Sequence, residues 1–245
     1  MEDIDGKSTY VQTNSPCIES KYTSISLTNA QYTKGDFVGY VFAWFSLVPV
    51  ALIVSFLTLI VFRRDLHTIS YFFGILLNEA CNWILKHTIR EHRPPREITV
   101  LFTEYGMPSS HAQFMFFFAT YMILFLFIRV YRNYNLVDDL WKYAAALGSV
   151  TVASLVAYAR IYLGYHTGSQ VLWGSLIGVV LGTIWFAAVQ VVLTPFFPYI
   201  ASSPLGELLM VRDSTLIPHV FWFEYTSTRS EARNRQRKVT SRKSQ

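Results

Sequence analysis

The chain has 245 residues, 52% hydrophobic, 16% aromatic and only 15% charged, against roughly a quarter charged in an average soluble domain, so the composition is that of an integral membrane protein. Its formal net charge of +5 sits at one end: 226–245 hold seven basic side chains against Glu231, leaving the rest of the chain at −1, a pattern that faces anionic lipid or sets topology and speaks against a nucleic-acid partner. Cys17 and Cys81 are the two cysteines, which excludes a disulfide framework and any C-x-x-C metal or redox site.

Residues 1–35 are polar, rich in Ser and Thr and without sustained periodicity, which predicts a flexible arm. The opening Met1-Glu2-Asp3 lacks the basic start and apolar stretch of a cleavable signal, so targeting is expected to fall to the first hydrophobic span. That span is 37–62, 26 residues without Asp, Glu, Lys or Arg, longer than the ~20 needed to cross a bilayer as a helix, with Pro49 as the expected kink. A second is expected at 66–85, carrying Glu79 between Asn78 and Asn82; shorter ones at 112–128 and 143–159; and a fifth at 171–193. Whether 196–200 re-enters the membrane is left open by the pattern. Gly174, Gly178 and Gly182 recur every four residues on the fifth span, the spacing that lets another helix approach closely. Glu79, Asn82 and Lys86 fall on one stripe of the second span, either a shell holding Lys86 or a polar seam between helices.

If all five segments span, the connections on one face hold 13 Lys and Arg and those on the other hold 8. Positive-inside bias puts the richer set, with the C-terminal tail, in the cytosol. Three unusual clusters then share the opposite face. The first, Lys86-His87-Thr88-Ile89-Arg90-Glu91-His92-Arg93-Pro94, spaces Lys86 and Arg93 seven residues apart, two turns if the helix persists, so both could converge on one anion. Taken alone, basic residues at a helix end usually just face lipid headgroups. The second, Tyr105-Gly106-Met107-Pro108-Ser109-Ser110-His111, caps a helix start with Pro and Ser and leaves free amides beside an imidazole, an anion seat or simply a capped helix with a surface histidine. In the third, Arg160 is the only charged side chain between Lys142 and Glu207, with His166 six residues on; an ionisable group is costly to keep there without use. Together they offer three cations, two imidazoles and a helix N-terminus, the parts that phosphoryl transfer without a metal requires.

In this order K-x6-R-P, P-S-x-H and R-x5-H resemble the three-part signature of the type 2 phosphatidic acid phosphatase superfamily. The stretches 77–83, 105–115, 165–172, 223–225 and 231–238 further resemble the branch of that superfamily acting on dolichyl diphosphate, and the likeness covers nearly all of the chain beyond the arm. The resemblance implies an all-α, polytopic transmembrane bundle of about five or six spans, with 36–200 as a membrane phosphatase domain between a non-cytoplasmic arm (1–35) and a basic cytosolic tail (201–245). It implies hydrolysis of a long-chain isoprenyl diphosphate to the monophosphate and inorganic phosphate at the lumenal face of the endoplasmic reticulum, recycling lipid carrier for N-glycosylation. A polyisoprenoid diphosphate and membrane lipid are the expected partners, with no cofactor and no metal.

Carried over by position, the pattern makes His166 the nucleophile that becomes a phosphohistidine and His111 the general acid. Lys86, Arg93 and Arg160 would bind the phosphoryl oxygens, with Ser109, Ser110 and nearby amides completing the cradle. A dissociative transition state spreads charge over three oxygens, which three fixed cations suit. Two positions depart from the pattern: Ser110 replaces a usual Gly, and Gln170 stands where the superfamily has an Asp that orients the nucleophile. Gln170 follows His166 by one helical turn, so its carbonyl oxygen could accept the Nδ1 proton, unless another residue orients the ring. The alternatives are a broader lipid phosphatase for phosphatidate or sphingoid phosphates, and a non-enzymatic carrier of anionic lipid. Binding alone needs cations rather than two imidazoles.

Overall fold

The structure, a computed structural model, describes residues 22–25, 30–94, 105–130, 136–215, 217 and 220–243. Most of the arm, with Cys17, lies outside the described residues, as do Arg96, His219 and the last two residues.

Helices dominate. The first apolar stretch forms α1 (Phe37–Phe45) and α2 (Val48–Arg63), parted at Ser46–Leu47 just ahead of Pro49. Proline within the first turn of a helix loses no intrahelical bond, so the expected kink is realised as a break with a new helix start. Asp36 caps α1 by accepting from the Gly39 amide at 2.9 Å. Next come α3 (Leu66–Ile89), capped by Asp65, and α4 (Ser110–Leu124), which runs into a π-helical turn at Phe125–Arg129. Then follow α5 (Leu136–Tyr162) and α6 (Gly168–Ala188), which continues through π and 3-10 turns into α7 (Phe197–Ala201). Residues 196–200 thus prolong the last span rather than re-entering separately. A short α8 (Pro204–Leu208) and the tail helix α9 (Val220–Lys243) complete the chain.

Among the described residues four helices are long and apolar enough to cross a membrane: Phe37–Arg63, Ser110–Arg129, Leu140–Tyr162 and Gly168–Ala201. The expected second span, α3, is not among them, because Asn78, Glu79 and Asn82 lower its apolarity. It nevertheless traverses the same bundle: its start meets the far end of α4, where Arg129 donates to His67 at 3.3 Å, and its end meets the beginning of α4, where Asn82 donates to the Pro108 carbonyl at 3.4 Å. At 1.5 Å per residue its 24 residues reach about 36 Å. The bundle's exterior is apolar, with Val61, Leu147 and Val191 exposed, as lipid-facing helices require.

One part of the arm departs from the irregular reading: Tyr22–Ile25 and Ala30–Thr33 pair as an antiparallel hairpin, β1 and β2. Four-residue segments carrying Tyr, Ile and Thr are too short to show alternation, and the Gln31 amide of β2 donates to the Tyr165 hydroxyl at 2.8 Å, so a tertiary contact helps to order the strand.

The core lies between α3, α4 and α6, around Tyr71, Phe117, Phe118, Tyr121 and Phe186. The Tyr71 and Tyr121 rings stack at 4.0 Å, and the Tyr71 hydroxyl donates to the Phe118 carbonyl at 2.6 Å. The glycine stripe of α6 performs the packing its spacing predicts: a Cβ at Gly174 would lie 2.7 Å from the Ser109 carbonyl oxygen, and one at Gly182 would lie 3.0 Å from that of Phe117. Between α3 and α4, Asn82 donates to Gln113 Oε1 at 2.8 Å while Gln113 Nε2 donates to Asn78 Oδ1 at 3.0 Å, all three buried. Asn82 therefore belongs to a polar seam that also supports the Pro108 peptide.

Candidate active site

The R-x5-H spacing has a local cause. Helix α5 ends at Tyr162, Gly164 adopts a left-handed φ of 69°, and the returning chain donates the Tyr165 and His166 amides to one acceptor, the Arg160 carbonyl, at 3.0 and 3.2 Å. Gly supplies that positive φ without steric cost. The loop thereby folds back over Arg160, whose guanidinium lies 4.0 Å from the Tyr165 ring centroid. Arg160 and His166 are both buried, and Arg160 Nη1 donates to Ser46 Oγ at 3.4 Å across the break in the first span.

His166 immediately precedes Thr167, the N-cap of α6. Thr167 accepts from the Gln170 amide, and Gln170 Oε1 accepts from the Thr167 amide, forming a capping box. The same Oε1 lies 3.2 Å from His166 Nδ1. Gln170 is fully buried, and its Nε2 donates outward to Glu91 Oε1 at 2.8 Å and to the His92 carbonyl at 2.9 Å.

The P-S-x-H cluster opens α4 alongside. Its first intrahelical bond runs from the Gln113 amide to the Ser109 carbonyl, so the amides of Ser110, His111 and Ala112 precede the ladder and are the orphan donors of a helix start. The Ser109 amide is already committed to the Gln170 carbonyl at 3.1 Å, and Ser109 is fully buried beneath Gly174, whereas Ser110 and His111 are half-buried. The His111 ring hydrogen-bonds the Ser46 backbone and lies within the electrostatic reach of Arg160, His166 and Lys86.

Lys86 and Arg93 approach differently from the two-turn expectation. Helix α3 stops at Ile89, Arg90 takes a left-handed φ of 54° with its amide bonded to the Lys86 carbonyl, and Glu91 to Pro94 continue without helix. Arg93 is thus delivered by a turn. Proline at 94 disfavours helical backbone at Arg93 itself, so the helix could not have carried both cations along one face. The charges of Arg160, Arg93 and Lys86 all act on His166. Burial foremost, then Arg160 and Arg93, push the His166 pKa down to about 3, so the imidazole is neutral at physiological pH.

All eight residues singled out in the sequence, Lys86, Arg93, Ser109, Ser110, His111, Arg160, His166 and Gln170, therefore gather at one end of the bundle where two helix starts meet. Sequence reasoning missed Ser46 and Glu91. Ser46 carried only the signal of a hydroxyl three residues before Pro49, in a span that also holds Ser55 and Thr58, and Glu91 none beyond lying between Lys86 and Arg93. A neutral imidazole flanked by cations and free amides is equipped to attack a phosphoryl group and to hold its charge as it develops.

Residues 67–193 match the PAP2 superfamily. The chain is 50% identical over 227 residues to Dolichyldiphosphatase 1 of Rhinolophus ferrumequinum and 49% identical over 227 residues to Dolichyldiphosphatase 1 of Homo sapiens, covering 91% of this chain and 94% of each relative. Its fold is similar to the crystal structure of a transmembrane PAP2-type phosphatidylglycerolphosphate phosphatase from Bacillus subtilis, with a TM-score of 0.52 over 63% of this chain and 78% of the other, at 20% identity.

Proposed function

This chain belongs to the PAP2 superfamily and is a multi-pass membrane phosphatase, and from that footing we propose that it removes the terminal phosphate of a long-chain isoprenyl diphosphate such as dolichyl diphosphate. The observation that carries the reading is the joining of His111, His166 and three cations at one end of a lipid-facing bundle, in a chain half identical to dolichyldiphosphatases.

In the proposed reaction the lone pair of His166 Nε2 attacks the terminal phosphorus. The bond from phosphorus to the bridging oxygen breaks, isoprenyl monophosphate departs with a proton from His111, and a phosphohistidine remains. Water, deprotonated by His111, then cleaves the N–P bond to give inorganic phosphate and restores both histidines. Lys86, Arg93 and Arg160 stabilise the equatorial oxygens, helped by the opening amides of α4, with Ser110 as a further donor. The buried Ser109, whose amide serves Gln170, shapes this cradle from beneath. Three cations occupy the role that a metal plays in other phosphoryl-transfer sites, so no metal is required. The site would face the lumen of the endoplasmic reticulum and the basic tail the cytosol, returning carrier lipid to N-glycosylation.

The decisive experiment compares phosphate release from dolichyl diphosphate, dolichyl monophosphate and phosphatidate by purified protein in detergent with EDTA. Preference for the diphosphate is expected, with full activity under chelation. Phosphatidate turned over as fast would make this a broad lipid phosphatase. Rapid quenching with terminally labelled diphosphate should trap an acid-labile phosphoprotein that His166→Asn abolishes; a variant still labelled and active would overturn the nucleophile assignment.

A further inference from the structure

We infer that Glu91 is a positioning residue for His166, acting through Gln170: its carboxylate fixes which way the Gln170 amide faces, and the amide fixes His166 with Nδ1 protonated and Nε2 free. The inference rests on the reading of His166 as nucleophile.

A glutamine amide has two ends of nearly equal size and opposite hydrogen-bonding sense, so its partners decide its orientation. Around Gln170 every partner agrees. Nε2 faces Glu91 Oε1 at 2.8 Å and the His92 carbonyl at 2.9 Å, both acceptors, while Oε1 faces the Thr167 amide, a donor, at 3.3 Å. Turning the amide over would set its NH2 against a backbone N–H and its oxygen against a carboxylate and a carbonyl. With Gln170 itself fully buried, those mismatched contacts would be costly.

The fourth neighbour is His166 Nδ1, 3.2 Å from Oε1. Because that oxygen can only accept, the single proton of the neutral imidazole belongs on Nδ1, and Nε2 keeps the lone pair that attack requires. Glu91 is held in place for this task. Its carbonyl accepts from the Gly106 amide at 2.7 Å, and a Cβ at Gly106 would lie 2.8 Å from both heteroatoms of the Gln170 amide, so that loop closes the last side of the amide's cage. The superfamily's usual Asp beside the nucleophile is replaced here by an amide with the anion one residue further out. Glu91 thereby supplies negative charge to the imidazolium that forms on phosphorylation, attenuated by distance.

Steady-state turnover of dolichyl diphosphate and 15N spectra of histidine-labelled protein in detergent test the relay, with the His166 signals identified by their loss in His166→Asn. Glu91 is exposed, so Glu91→Ala leaves no cavity. It is expected to lower kcat about 10- to 100-fold, by analogy with the loss seen when a group that orients a metal-binding histidine is removed, with little change in KM, and to convert His166 from the pure Nδ1–H form to a mixture of tautomers. Gln170→Glu alone sets two carboxylates against each other and is expected to be more damaging. The double variant Gln170→Glu/Glu91→Gln restores a donor facing an acceptor and is expected to recover turnover over Gln170→Glu. Unchanged kcat and tautomer in Glu91→Ala, or a double variant no better than Gln170→Glu, would overturn the relay. If His166→Asn keeps its activity, the nucleophile assignment falls, whereas a tautomer shift in Glu91→Ala would still uphold the relay.

Discussion

Gly174 of α6 lies directly against the peptide of Ser109: a side-chain carbon there would fall 2.7 Å from the Ser109 carbonyl oxygen and 3.2 Å from its nitrogen. The two helix starts of the site are thus registered against each other by the absence of one methyl group. Gly174→Ala is expected to push α6 off α4, at a cost of about 1–3 kcal/mol typical of overpacking, and to lower kcat by separating His111 from His166. Gly148→Ala, where a Cβ meets nothing within 4 Å, should leave both unchanged or raise stability slightly. Thermal melts in detergent alongside turnover will tell; equal melting temperatures for the two variants would refute the registration.

Acid should weaken the fold in a particular window. His166 is held neutral down to about pH 3 by burial and by Arg160 and Arg93, whereas in an unfolded chain it titrates near ~6.5. Between these values the unfolded state binds a proton that the folded state refuses, so the stability held by the neutral histidine is whole above about pH 6.5 and is lost as pH falls toward 3. Arg93→Gln removes one of the depressing charges, raises the folded pKa and should make the decline in melting temperature with acid shallower. Equal slopes would count against Arg93 acting on this ring.

In the proposed reaction the leaving group sets how much His111 matters. Expelling a phosphate with a second pKa of about 6 needs less proton donation than expelling an alkoxide nearer ~15.7. His111→Ala is therefore expected to lose proportionally more activity on dolichyl monophosphate than on the diphosphate. Equal losses would mean that His111 serves mainly as a phosphate ligand.

In the proposed five-span topology the end of α3 and the tail helix lie on opposite sides of the membrane. In a background with Cys17 and Cys81 replaced by Ser, Thr88→Cys should resist an impermeant thiol reagent in sealed microsomes and react once they are opened, while Ser230→Cys should react at once. Matching behaviour of the two would show that α3 does not cross.

The sequence by itself determined the membrane class and picked out the side chains that the fold gathers at one end of the bundle. Apolar runs of bilayer length need no tertiary information. The R-x5-H spacing is also local, because a helix end, a glycine turn and two amides on the Arg160 carbonyl all lie within seven residues. The same holds for Gln170 beside His166, one turn apart and joined through a capping box. Tertiary structure decided the rest. Glu91 meets Gln170 across 79 positions and Ser46 meets Arg160 across 114, and no local pattern encodes contacts made by the packing of separate helices. The proline after Arg93 read as a helix end, but the left-handed Arg90 that turns Glu91 back toward the site did not. Whether Asn82 served Lys86 or a seam depended on Gln113 lying opposite. A buried polar group must find its partner wherever the fold brings one, and that choice is made only when α3, α4 and α6 come together.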